Sequence, residues 1–105
     1  MQHVSPRIDE EKQTIQFFLE SDYANKVSLD GFNQVSLVGS FNQWAQDVLL
    51  MKCDGDGVWK IEIPLLPKGK YHYKFLVDDK VWIEDIANSK REPDGFAGFN
   101  SVLIV

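Results

Sequence analysis

The sequence predicts an all-β domain, a sandwich or a barrel, and three observations carry that expectation. Apolar residues recur with a period of two in short segments, those segments are separated by Gly, Asn, Asp and Pro, and no amphipathic helix of useful length is present. The chain has 105 residues, 44% hydrophobic and 26% charged, with 4 Pro and 7 Gly. This balance fits one folded domain over residues 1–105, large enough to bury a core without metal or disulfide help.

Residues 1–12 read as a poorly ordered N-terminal segment. The first strand covers residues 14–19, with Ile15, Phe17 and Leu19 on one face. Residues 27–34 nearly repeat residues 35–43 and read as a local duplication that lengthens the next connection, since the period is too short for a solenoid unit. Val35-Ser36-Leu37-Val38-Gly39 is the second strand, and the turn-rich Ser40-Phe41-Asn42-Gln43-Trp44 follows it. Residues 49–53 form a short strand ending in the lone Cys53, which reads as a buried, inert thiol.

Asp54-Gly55-Asp56-Gly57 is a hairpin turn, because Asp-Gly supplies the positive-φ positions such turns require. Beyond it, residues 58–63 alternate, with Trp59, Ile61 and Ile63 inward and Lys60 and Glu62 outward. Residues 70–77 alternate again: Tyr71, Tyr73, Phe75 and Val77 face the core, and His72 and Lys74 share the opposite side. Asp78-Asp79-Lys80 turns into Val81-Trp82-Ile83, residues 84–98 are a long irregular stretch, and residues 101–105 close the chain as an apolar strand.

A net charge of −5 offers no basic field for nucleic-acid phosphates or anionic lipid. Without a secretory h-region or an apolar run of membrane-spanning length, the cytoplasm is the default location. His3 and His72 are far apart in sequence and Cys53 stands alone, so neither a metal site nor a cofactor is indicated. Asp78, Asp79, Glu84 and Asp85 surround Trp82, and paired carboxylates beside an aromatic are what a glycosidase uses. In a domain this small they read as solvated loop charges, and no nucleophile triad or Gly-rich phosphate loop accompanies them. The chain is therefore expected not to be an enzyme.

The three tryptophans sit in different settings. Trp59 lies within an alternating strand and reads as core, while Trp44 and Trp82 stand beside turn-forming residues in polar company. Trp82 also alternates with Val81 and Ile83, one face of which must be buried, so the period leaves its side open. His72 and Lys74 read as solvated strand residues when taken alone, and Asn100 reads equally as a turn residue satisfying backbone groups.

Gly39-Ser40-Phe41-Asn42-Gln43-Trp44, Tyr71-His72-Tyr73-Lys74-Phe75, Trp82 and Gly98-Phe99-Asn100-Ser101-Val102, in this order and spacing, resemble the glycogen-binding carbohydrate-binding modules of family 48. That family includes the module on the β subunit of AMP-activated protein kinase and the early-set domains preceding the catalytic barrel of glycogen branching and debranching enzymes. The resemblance runs from about Thr14 to Val105. It implies an immunoglobulin-like, early-set antiparallel β-sandwich with a non-catalytic site for α-1,4-linked glucose chains.

Carried over by position, the resemblance places platform tryptophans at Trp44 and Trp82, a strand lysine at Lys74, a terminal-strand asparagine at Asn100 and an apolar loop residue at Phe96. The family's small hydroxyl residue falls near Gly98, which has no side chain to offer. The implied partner is a glycogen- or starch-like glucan, with a glycoside hydrolase or a kinase-type protein as a further partner. The alternative is an immunoglobulin-like structural or protein-interaction module of a glucan-active enzyme whose sugar site has decayed.

Overall fold

A computed structural model describes residues 4–20, 33–53 and 57–105 as two antiparallel sheets packed face to face. In chain order the strands are β1 (Arg7–Asp9), β2 (Thr14–Glu20), β3 (Val35–Gly39), β4 (Leu49–Leu50), β5 (Lys52–Cys53), β6 (Val58–Pro64), β7 (Lys70–Val77), β8 (Val81–Ile83), β9 (Arg91–Pro93) and β10 (Phe99–Ile104), with a 3-10 turn at Ser40–Asn42. One sheet runs β1-β2-β6-β5 and the other β4-β3-β7-β10-β9. β8 also pairs with β7, lying against Phe75, Leu76 and Val77, whereas β10 lies against the opposite end of β7, from Lys70 to Tyr73.

The alternation read from the sequence decides what faces inward. Ile15, Phe17, Leu19 and Ile63 from one sheet meet Val35, Leu37, Tyr73, Phe75, Val77, Ile83 and Leu103 from the other. Phe17 spans the gap, with its ring edge-on to Tyr73 at a centroid distance of 5.0 Å. Trp59 and Ile61 pack against this cluster and are half-buried, so Trp59 is inward and lies towards the end of the sandwich. Such facing sheets are the immunoglobulin-like sandwich implied by the resemblance.

Several expectations need correction. The N-terminal segment 1–12 is not a loose lead-in over its described part: Ser5 is buried, and Ile8 pairs with Ile15. The stretch 49–53 is two short strands in different sheets. β4 pairs with β3, Met51 donates its N–H to the Val35 carbonyl, and β5 then pairs with β6, so the chain changes sheet at buried Met51. Cys53 is a half-buried free thiol because β5 lies at the edge of its sheet. Residues 84–98 are not irregular throughout, since β9 pairs with Phe99, Asn100 and Ser101 of β10. The repeat at 27–34, apart from Asn33 and Gln34, and the hairpin tip at 54–56 lie outside the described residues.

Candidate functional site

Each residue of Gly39-Ser40-Phe41-Asn42-Gln43-Trp44 has a local task. A Cβ on Gly39 would lie 2.6 Å from the His72 carbonyl oxygen and 2.7 Å from the Phe41 ring, so only glycine lets the end of β3 approach β7 this closely. The Ser40 hydroxyl accepts the His72 N–H at 3.1 Å, and the Phe41 ring packs 6.2 Å from Phe17 and 6.3 Å from Tyr71. Asn42 accepts the Gly39 N–H through Oδ1 at 3.1 Å, and the Trp44 N–H returns to the Gly39 carbonyl at 2.8 Å. Gln43 and Trp44 both take left-handed backbone conformations in this tight turn. Trp44 emerges 38% exposed.

The face of β7 opposite the core carries His72 and Lys74, as alternation requires, but neither is simply solvated. His72 Nε2 lies 2.7 Å from Glu92 Oε1, and Lys70 Nζ donates to Glu92 Oε2 at 2.8 Å. These partners, Lys70 first, hold the Glu92 carboxyl below its ordinary range. Lys74 Nζ donates to Asp94 Oδ2 at 2.6 Å, with side chains only 17% and 10% exposed. That bond and the backbone N–H groups of Phe96 and Gly98 hold the Asp94 carboxyl down at about 2.

Pairing settles the side of Trp82. Ile83 lies opposite inward Phe75 and Val81 opposite inward Val77, so Trp82, opposite Leu76, faces away from the core and is 43% exposed. Asn100 lies between Phe99 and buried Ser101, and Ser101 pairs with Tyr73, which puts half-buried Asn100 on the same face as Lys74. Phe96 sits at the tip of the β9–β10 hairpin, 90% exposed, between Gly95 and Ala97, both at positive φ.

A shallow cleft of about 240 Å³ is lined by Lys74, Val81, Trp82, Ile83, Glu84, Gly98 and Phe99. It brings together Lys74 and Trp82. Trp44, Phe96 and Asn100 are not among its walls.

Arg91 and Asp94 were not singled out from the sequence, nor was the pairing of Glu84 with Arg91. Arg91 donates to both Glu84 oxygens at 2.9 and 3.0 Å, and its guanidinium lies 3.8 Å from the centre of the Phe99 ring. Only the Asp94-Gly95 turn signal could have pointed to Asp94.

Of the four carboxylates around Trp82, Asp79 is exposed as expected of a loop charge, but the other three are held by partners. Asp78 accepts the N–H groups of Asn33 and Gln34, Glu84 is paired with Arg91, and Asp85 is buried within a hydrogen-bond network. They have separate structural partners.

The family described as "Glycogen recognition site of AMP-activated protein kinase" matches residues 28–105. The chain belongs to this family. The 5'-AMP-activated protein kinase subunit beta-2 of mouse, rat and human is 38% identical over 56 residues, covering 53% of this chain and 19% of each relative. The chain thus spans about a fifth of the length of these curated relatives. A crystal structure of a Salmonella typhimurium protein described as an alpha amylase aligns with 88% of this chain and 13% of its own, at a TM-score of 0.60 and 20% identity, a likeness of fold. Family membership makes the domain a non-catalytic glycogen-recognition module, and the turn built on Gly39, Ser40, Phe41 and Asn42 is the frame that presents Trp44. Among the described residues no helix is long and apolar enough to cross a membrane.

Proposed function

We propose that this module holds α-1,4-linked glucan against Trp44 and Trp82, with Lys74 and Asn100 as hydrogen-bonding groups and Phe96 as an apolar contact at the rim. The observation that carries this reading is the exposure of Trp82 beside Lys74 in one cleft, since the strand places Trp82 outward while Val81 and Ile83 fill the core. A glucose ring has an apolar face of C–H groups and an edge of hydroxyls, so it needs a flat apolar surface flanked by a few donors and acceptors.

If each indole hides roughly 60 to 80 Å² against sugar, burial contributes about 1.5 to 2 kcal/mol per ring. Hydrogen bonds add about 1 kcal/mol each and association costs several kcal/mol, leaving dissociation constants between about micromolar and millimolar for a short oligosaccharide. Affinity of this order suits a module that localises rather than captures. On a polymer, or beside a tethered kinase or glycoside hydrolase, repeated sites and high effective concentration compensate for it.

Native electrophoresis through a gel containing glycogen tests the reading. Folded wild type is retarded and the Trp44→Ala and Trp82→Ala variants much less so. Unretarded wild type would instead favour an interaction module whose sugar site has decayed.

A further inference from the structure

The charge on Lys74 is already answered inside the protein. Asp94 Oδ2 accepts from Lys74 Nζ at 2.6 Å, while Asp94 Oδ1 accepts the N–H groups of Phe96 at 2.7 Å and Gly98 at 3.1 Å. The Asp94 N–H closes the same turn onto the Gly98 carbonyl at 3.0 Å. One carboxylate therefore fixes a long, otherwise mobile ammonium stem and the hairpin that carries Phe96 at its tip.

Gly98 reserves the seat for that carboxylate. A Cβ at this position would lie 2.9 Å from Asp94 Oδ2, closer than real Cβ atoms come, so a side chain at 98 requires the Asp94 carboxylate to shift from its present position. Gly98 and Lys74 are walls of the cleft beside Trp82, whereas Asp94 is not. Whatever Asp94 does for a ligand in that cleft, it does through these neighbours.

Resting on the glucan reading above, we infer that Asp94 is a positioning and selectivity residue: it presents Lys74 as a neutralised hydrogen-bond donor, tuning the site to uncharged glucan and against phosphorylated glucan. A lysine held by a carboxylate can still donate its remaining N–H groups to hydroxyls. Its net charge no longer rewards an anionic ligand, and a phosphate entering the cleft meets the Asp94 charge as well.

The test is calorimetric titration of wild type, Asp94→Asn and Gly98→Ala with maltoheptaose and with maltoheptaose bearing a 6-phosphate. Wild type binds the neutral sugar several-fold more tightly than the phosphorylated one. Asp94→Asn loses about tenfold in affinity for the neutral sugar and reverses the preference, because the Lys74 charge is uncovered. Gly98→Ala, which removes no ionisable group but shifts the Asp94 carboxylate off its present seat, also loses affinity for the neutral sugar, and this variant decides the matter if Asp94→Asn fails to fold. Wild-type affinity and selectivity in either folded variant would overturn the inference and leave the glucan reading standing. Wild type binding neither sugar would remove both.

Discussion

The Tyr73 hydroxyl donates a 2.7 Å hydrogen bond to Asp85 Oδ2, tying the middle of β7 to the buried start of the β8–β9 connection. The Ser5 hydroxyl donates to the same oxygen, Asn88 Nδ2 donates to the Tyr73 hydroxyl, and Asp85 itself reaches back through its N–H to Ser101 Oγ. Burial, reinforced by the Asp85 charge, raises the Tyr73 hydroxyl far above its ordinary range, so it remains a neutral donor. Removing that hydroxyl in Tyr73→Phe keeps the ring in the core and leaves a buried carboxylate short of one donor. The expected loss is about 1–3 kcal/mol, read from urea unfolding.

The same carboxylate makes stability depend on pH. Desolvation raises Asp85 from 3.8 to about 6, so between those values the folded state binds more protons than the unfolded one and stability falls as pH rises. Asp94 has the opposite sign: its contribution is present above 3.8 and is lost as pH falls towards about 2. Urea midpoints measured from about pH 4 to about pH 6 should decline more steeply in wild type than in Asp85→Asn, by an amount on the order of 1–3 kcal/mol across the range. Parallel profiles would count against this assignment.

Gly39→Ala should be severe, although the glycine backbone is extended and needs no special φ. The added methyl group meets the His72 carbonyl at 2.6 Å, and backbone cannot swing aside as a side chain can. A loss of about 2–4 kcal/mol is expected, by analogy with other overpacked sites. Because Trp44 hangs from this turn, glycogen retardation should weaken in whatever fraction remains folded.

The tryptophans should separate cleanly. Trp59→Ala opens space beside the core and should cost about 3 kcal/mol, the low end for such truncations because the ring is half-buried. Trp44→Ala and Trp82→Ala remove exposed rings and should cost less than about 1 kcal/mol while reducing retardation in glycogen gels. Calorimetric melting of the three variants, beside the gel assay, checks both halves of the contrast.

Ser36 offers a change in the other direction. Its hydroxyl is fully buried on the outer side of β3, between strands carrying Leu50 and Leu76, and has no hydrogen-bond partner among the described residues. Ser36→Ala should be neutral or stabilising by up to about 1 kcal/mol in thermal unfolding, since it removes a polar atom whose desolvation nothing offsets.

The long alternating strands were legible because each carries its own signal. Residues 14–19, 58–63 and 70–77 name their inward faces without reference to any partner, and Phe17, Ile63 and Tyr73 lie where the period puts them. β1 and β9 carry no such signal. Arg7-Ile8-Asp9 and Arg91-Glu92-Pro93 are short and polar, and are strands only because Gln16-Ile15-Thr14 and Ser101-Asn100-Phe99 stand opposite them.

The candidate site is legible to the same degree, as a set of proposed residues. Trp44, Lys74, Trp82, Asn100 and Phe96 came from ordered motifs, while the partners that hold them came from distant sequence. Glu92 beside His72 and Asp94 beside Lys74 are each twenty residues from the group they bind. The side of Trp82 could not be read from three residues, and required the register against Phe75, Leu76 and Val77.

The strand order has a consequence for folding as well as for recognition. Trp44 hangs from β3, Lys74 lies on β7, Trp82 on β8 and Asn100 on β10, and three of these strands meet only along β7. A partly folded chain cannot present these residues together, so at the proposed site an added oligosaccharide would have nothing to hold until β3, β7, β8 and β10 have assembled. Sugar bound at the proposed site would act as a clamp on the native state, stabilising it in proportion to the logarithm of its own concentration above the dissociation constant. A rise in melting temperature on adding maltoheptaose would therefore report completed assembly of β3, β7, β8 and β10.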